Sequence, residues 1–111
     1  MILAEFFQSS SDKRLLGFAV SGHAGTAESG QDIVCASVSS AVMMTANNVT
    51  EFFGEAFGLK AKVQVLENDI LLKLTEDTEG IGDRLLLGLL THLYMVSEEF
   101  PEAVRVKISE R

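Results

Sequence analysis

A chain of 111 residues with 47% hydrophobic side chains can build one core but not two, and it is too apolar to stay disordered. Nine Lys and Arg against sixteen Asp and Glu leave a formal charge of −7, which repels phosphate, argues against direct nucleic-acid binding, and attracts a basic partner. One cysteine cannot form an internal disulfide, and the opening Met-Ile-Leu-Ala-Glu-Phe-Phe carries no basic leader, so residues 1–111 are expected to act as one cytoplasmic domain.

Residues 2–7 are apolar apart from Glu5, and in residues 15–20 Leu16, Phe18 and Val20 alternate with Leu15, Gly17 and Ala19. Ser9-Ser10-Ser11-Asp12-Lys13 between them reads as a turn, so the two runs are predicted to form an antiparallel hairpin. The second strand ends at Ser21-Gly22, which sets His23 just past a strand end.

From Ile33 the apolar period lengthens to about 3.6, with Val34, Val38, Ala41, Val42, Thr45 and Val49 on one side of a predicted helix. Ser29, Gly30 or Asp32 are candidate caps, and the helix should fade between Thr50 and Gly54. Ala61, Val63 and Val65 and then Ile70, Leu72 and Leu74 mark two more strands around Glu67-Asn68-Asp69, a second hairpin.

Thr78 to Gly82 leads into a second helix with two apolar stripes, Leu85-Leu89-Leu93 and Leu86-Leu90. The longest apolar run of the chain, Leu85 to Val96, holds Thr91 and His92 and is shorter than the ~20 residues that span a bilayer, so no membrane association is expected. Stripes this wide are usually covered on more than one side, which predicts a homodimer. Pro101 ends the helix, and Val104, Val106 and Ile108 alternate with polar residues in a last strand. The order β-β-α-β-β-α-β predicts an α+β two-layer fold, one mixed or antiparallel sheet with helices on one face.

The chemistry concentrates between Ser21 and Ser39. Cys35 is the only cysteine, and His23 is one of two histidines. Asp32, Cys35 and Ser39 are spaced i, i+3 and i+7, which aligns them on one side of the first helix, beside the valine stripe. Cys35 is expected in the first turn of this helix, where unpaired N–H groups favour negative charge, and thiolate is the reactive form of a cysteine. The same N–H groups can receive the oxyanion formed when a thiolate attacks an amide. His23 reaches Cys35 if the segment containing Gly22, Ala24, Gly25 and Gly30 folds back, and it can then serve as general base. Each feature also has a plainer explanation. A lone cysteine is often a small buried hydrophobe, His23 suits a solvated turn, and Asp32 can cap the helix.

His92 falls within the apolar second helix, where a core or interface histidine is the commoner case. One cysteine and two distant histidines give no zinc-ligand spacing, and neither phosphate-loop motif is present. No metal or cofactor is expected.

Gly22-His23-Ala24, then Gly30-x-Asp32-Ile33-Val34-Cys35-Ala36, then Val38-Ser39 resembles the signature of the ribosomal-processing cysteine protease (Prp) family. The element order along the chain is similar too. The resemblance implies a cytoplasmic endopeptidase, commonly homodimeric, that removes a short N-terminal extension from a large-subunit ribosomal protein. It implies Cys35 as nucleophile, His23 as general base, and Asp32 and Ser39 as supporting site residues. Family members often carry larger residues where this chain has Thr26 and Ser29, and a small apolar residue in place of Ser37; no catalytic group is lost. The competing class is a non-catalytic ribosome-associated module that docks a basic ribosomal protein.

Overall fold

The computed structural model describes residues 1–22 and 31–111, with the side chains of Gln31 and Asp32 excepted. Its elements are β1 (Ile2–Gln8), β2 (Leu15–Ser21), α1 (Gln31–Asn47), a π-helical turn (Asn48–Phe53), a short 3-10 turn (Gly54–Phe57), β3 (Leu59–Val65), β4 (Asp69–Asp77), α2 (Ile81–Glu99) and β5 (Val104–Glu110). The predicted order β-β-α-β-β-α-β holds. The strands extend one to two residues beyond several predicted ends, because hydrogen bonding continues past the alternating apolar residues.

The five strands form one mixed sheet in the order β3-β4-β2-β1-β5. β1 pairs antiparallel with β2 and parallel with β5, while β4 pairs antiparallel with β2 and β3. Each helix therefore belongs to a crossover between parallel strands: α1 carries the chain from β2 past β4 to β3, and α2 carries it from β4 past two strands to β5. Such crossovers take one hand, and here that hand sets both helices on the same face.

Cross-strand rows fix the inner face. Phe6 pairs with Phe18, which pairs with Leu72, all fully buried. The two phenyl rings lie 5.9 Å apart at a tilt of 43°. The next row runs Ala4, Val20, Ile70. Val34, Val38, Val42 and Val49 from the α1 segment and Leu86, Leu89 and Leu93 from α2 complete the core above these rows. The hairpin departs from strict alternation at one point. A register shift between Phe7 and Gln8 pairs Gln8 with Leu15, so Leu15 and not Leu16 enters the core.

Ile33–Phe57 is long and apolar enough, with mean hydropathy 1.2, to cross a membrane by length and composition. Its valine line is instead spent on the core. The second helix corrects the reasoning from its girth: Leu86, Leu89 and Leu93 are buried, and Leu85 and Leu90 pack against the same core. The sheet below and α1 beside it cover both stripes within one chain. What remains outward on the two helices is Ile33, Met43, Met44, Leu87, Tyr94 and Met95.

The start of α2 owes its order to a residue the sequence reading passed over. Gly80, in the left-handed region at φ 77°, precedes the helix without a side-chain cap of its own. The Asp77 carboxylate, at the end of β4, accepts hydrogen bonds from the N–H groups of Gly82 and Asp83, each at 2.9 Å. The Asp83 carboxylate in turn accepts from the Leu15 N–H at 2.7 Å, tying helix to hairpin.

Candidate active site

Four strand ends meet at one end of the sheet. Ile2 opens β1, Val20 lies near the end of β2 with Gly22 just past it, Val65 closes β3 with Leu66 just past it, and Ile70 is the second residue of β4. Above them passes the first half of α1. Between helix and strand ends lies a cleft of about 390 Å³, lined from α1 by Cys35, Val38, Ser39, Val42 and Met43, and from the other side by these strand ends and the Glu67-Asn68-Asp69 turn.

Cys35 is half-buried and packs against the core edge. Ser39, one turn on, is exposed and lines the same cleft. The helical spacing thus brings these two predicted site residues together. Two details differ from expectation. α1 begins at Gln31, so Cys35 is its fifth residue and not part of the first turn. Because helical side chains lean toward the N-terminus, its Cβ still points back over that first turn. Asp32 is the second helical residue, so its backbone is already inside the helix and it is not the residue before it. Its side chain lies outside the described residues, as do His23, Ala24, Gly25 and Gly30.

Gly22 is the last described residue before His23, and its surroundings fix how the chain leaves the sheet. Its φ is 88°, and a Cβ there would sit 2.3 Å from the Met1 carbonyl oxygen. Only glycine avoids both the left-handed penalty and the collision. Its N–H donates to the Asn68 carbonyl at 3.1 Å, joining the end of β2 to the β3–β4 turn across the cleft rim. The sequence marks Gly22 for its conformational freedom but places Asn68 only in a turn, because the part Asn68 plays lies in its backbone carbonyl.

The second histidine is not at this cleft. His92 is exposed on α2, and its Nε2 lies 3.3 Å from the Ser37 hydroxyl. Together they line a separate groove between α1 and α2 of about 540 Å³. Of the two expected placements, core or interface, the core one is corrected, since α2 turns its leucines to the core and His92 away from it. Among the described residues, no three His, Cys, Asp or Glu side chains stand close enough to hold a metal ion.

The cleft is mostly apolar, with a thiol and a hydroxyl on the helical wall and carboxylates of Glu67 and Asp69 at the turn. This arrangement can seat an extended apolar segment beside a thiol, with acidic groups near a basic stretch of it. Fold and site define a small α+β domain whose single thiol is set in a surface cleft.

The chain belongs to the family of cysteine protease Prp, which matches residues 1–105. No curated protein sequence matches it. Among solved structures, it is similar to an essential ribosomal processing protease, Prp, from S. aureus in complex with a covalently linked product peptide. The TM-score there is 0.84 at 19% identity, covering 98% of this chain and all of the other. The same S. aureus protease with a substrate peptide gives 0.82 at 18% identity over the same shares. SMU.848 from Streptococcus mutans gives 0.72 at 25% identity, covering 100% of this chain and 96% of that one. At these identities the S. aureus matches establish a shared fold.

Proposed function

We propose that this chain is a cysteine endopeptidase that removes the N-terminal extension of a large-subunit ribosomal protein. The observation that carries this reading is the position of Cys35, the single thiol, in the wall of the cleft in a chain that matches the Prp family over nearly its whole length. The S. aureus relatives hold a substrate peptide and a covalently linked product peptide, which supports peptide chemistry in the corresponding fold.

In this reading His23 takes the proton of Cys35, and the thiolate sulfur attacks the scissile carbonyl carbon. N–H groups at the start of α1 receive the oxyanion. Collapse breaks the C–N bond as His23 returns its proton to the leaving amine, leaving a thioester on Cys35. A water molecule, deprotonated by His23, then releases the extension as a free acid and restores the thiol. Asp32 and Ser39 support the site from the same helical side as Cys35. Gly22, Ala24, Gly25 and Gly30 belong to the segment that carries His23 toward substrate.

The enzyme works in the cytoplasm as a homodimer, the second copy packing on the outward helical surface of Met44, Leu87, Tyr94 and Met95. It needs no metal or cofactor, and it binds neither nucleic acid nor membrane directly.

Alkylation by iodoacetamide near neutral pH tests the nucleophile, because an unactivated thiol is only a few per cent ionised there. The expected result is labelling of Cys35 faster than a free thiol, slowed in His23→Ala. Labelling no faster than a free thiol would instead favour the non-catalytic docking module.

A further inference from the structure

β3 is an edge strand, and its last residues are poorly guarded. Edge strands are normally protected by charge, proline, bulges or a covering element. The first half of β3 has such protection: Lys60 and Lys62 flank it, a register shift falls between Lys60 and Ala61, and Leu59 is buried. The second half, Val63-Gln64-Val65-Leu66, carries no charge. Val63 is 39% exposed, Val65 70% and Leu66 57%, although Val63 lies in the inner-face row of Leu72 and Val65 in that of Ile70.

The turn decides where the backbone groups of this stretch point. The Leu66 N–H donates to the Asp69 carbonyl at 2.8 Å, and the Asp69 N–H donates back at 3.4 Å. Leu66 and Asp69 are therefore a hydrogen-bonded pair of the antiparallel ladder. Such pairs alternate with pairs that exchange no bond. Val65 opposite Ile70 is then unbonded, Gln64 opposite Leu71 is bonded, and Val63 opposite Leu72 is unbonded. The N–H and C=O groups of both Val63 and Val65 thus face the free edge, four groups in a row, and among the described residues no turn or loop bond reaches them.

This edge is continuous with the cleft, since Val65 and Leu66 themselves line it opposite Cys35. We infer that the peptide substrate binds as an added strand on the free edge of β3, paired through Val63 and Val65, with alternate side chains directed toward Val63, Val65 and Met43. The inference rests on the reading of the cleft as a peptide site. It adds the conformation and the backbone partners: an extended segment beginning beside Cys35 and running along at least ~7 Å of strand, two residues at ~3.3 Å each. Main-chain pairing supplies affinity, and pockets for alternate side chains supply selectivity.

The test uses full-length Cys35→Ala protein and a synthetic peptide spanning the extension junction of the ribosomal protein, with amide hydrogen exchange followed residue by residue. Without peptide, the amides of Val63 and Val65 should exchange fast and that of Gln64 slowly. With peptide, Val63 and Val65 should lose their fast exchange while Gln64 is unchanged. In the otherwise wild-type enzyme, Val65→Pro removes one outward N–H at a position where an edge strand tolerates proline. It should raise KM about fivefold to tenfold, the effect of losing roughly one hydrogen bond of ~1–1.4 kcal/mol. Val65→Ala, which keeps that N–H, serves as the side-chain control.

Exchange at Val63 and Val65 that the peptide leaves unchanged would overturn the inference. So would protection already present without peptide and growing with protein concentration, which would assign the edge to a second copy. Failure of the protease reading shows separately, as cleavage that survives Cys35→Ala.

Discussion

At the residue scale, the site depends on positions where few side chains are allowed. Gly22 is the sharpest case. Gly22→Ala meets a left-handed φ that costs about 1–2 kcal/mol before the collision with the Met1 carbonyl is counted. An unfolding free energy, measured in urea, lowered by at least that much is expected, together with reduced cleavage, because the last residue before His23 would leave the sheet in a new direction. A fully stable Gly22→Ala protein would show that β1 can yield there at little cost. The pairing of Cys35 with Ser39 was legible in the sequence, since helical spacing alone aligns them. The exact turn holding Cys35 was not, because the apolar period starts at Ile33 and says nothing of the two polar residues, Gln31 and Asp32, that already hold helical backbone.

At the element scale, α2 shows where local pattern stops being informative. Its cap comes from Asp77, on the preceding strand and four residues before the helix begins. Reading only the residues next to the apolar run finds Gly80 and Gly82 instead. Asp77→Ala strands two N–H donors and should cost about 0.5–2 kcal/mol, as losses of capping side chains do, with thermal unfolding as the check. The apolar girth of α2 was plain in the sequence, but what covers it depends on strand order. Residues 85–93 pack on a sheet whose central strands, β2 and β1, are brought beneath the helix by the crossover, and α1 lies alongside. Phe18 sits at the centre of that sheet, fully buried against Phe6 and Leu72. Phe18→Ala should cost about 3–5 kcal/mol by denaturant unfolding, a large part of a small domain's stability.

At the scale of the whole molecule, alternation and period identified seven elements and their order, while the sheet order β3-β4-β2-β1-β5 came only from long-range pairing. Hairpins are written locally in their turns. The parallel β1–β5 pair joins the two ends of the chain, and no sequence-local signal reports it. Overall charge acts at this scale as well. A net −7 should steer a basic ribosomal substrate toward the enzyme, so kcat/KM is expected to fall as ionic strength rises and the Debye length shortens. A salt-independent kcat/KM would mean that encounter does not limit the reaction or that the acidic surface lies away from the approach.

Cys35 remains the residue on which the proposed function turns: one thiol, half-buried, in the wall of a cleft bounded by four strand ends. The direct measurement is to incubate the chain with a large-subunit ribosomal protein bearing its N-terminal extension and to compare wild type with Cys35→Ala by mass spectrometry. Removal of the extension by wild type and none by Cys35→Ala is the expected result. Equal cleavage by both proteins would contradict the assignment of Cys35 as the nucleophile.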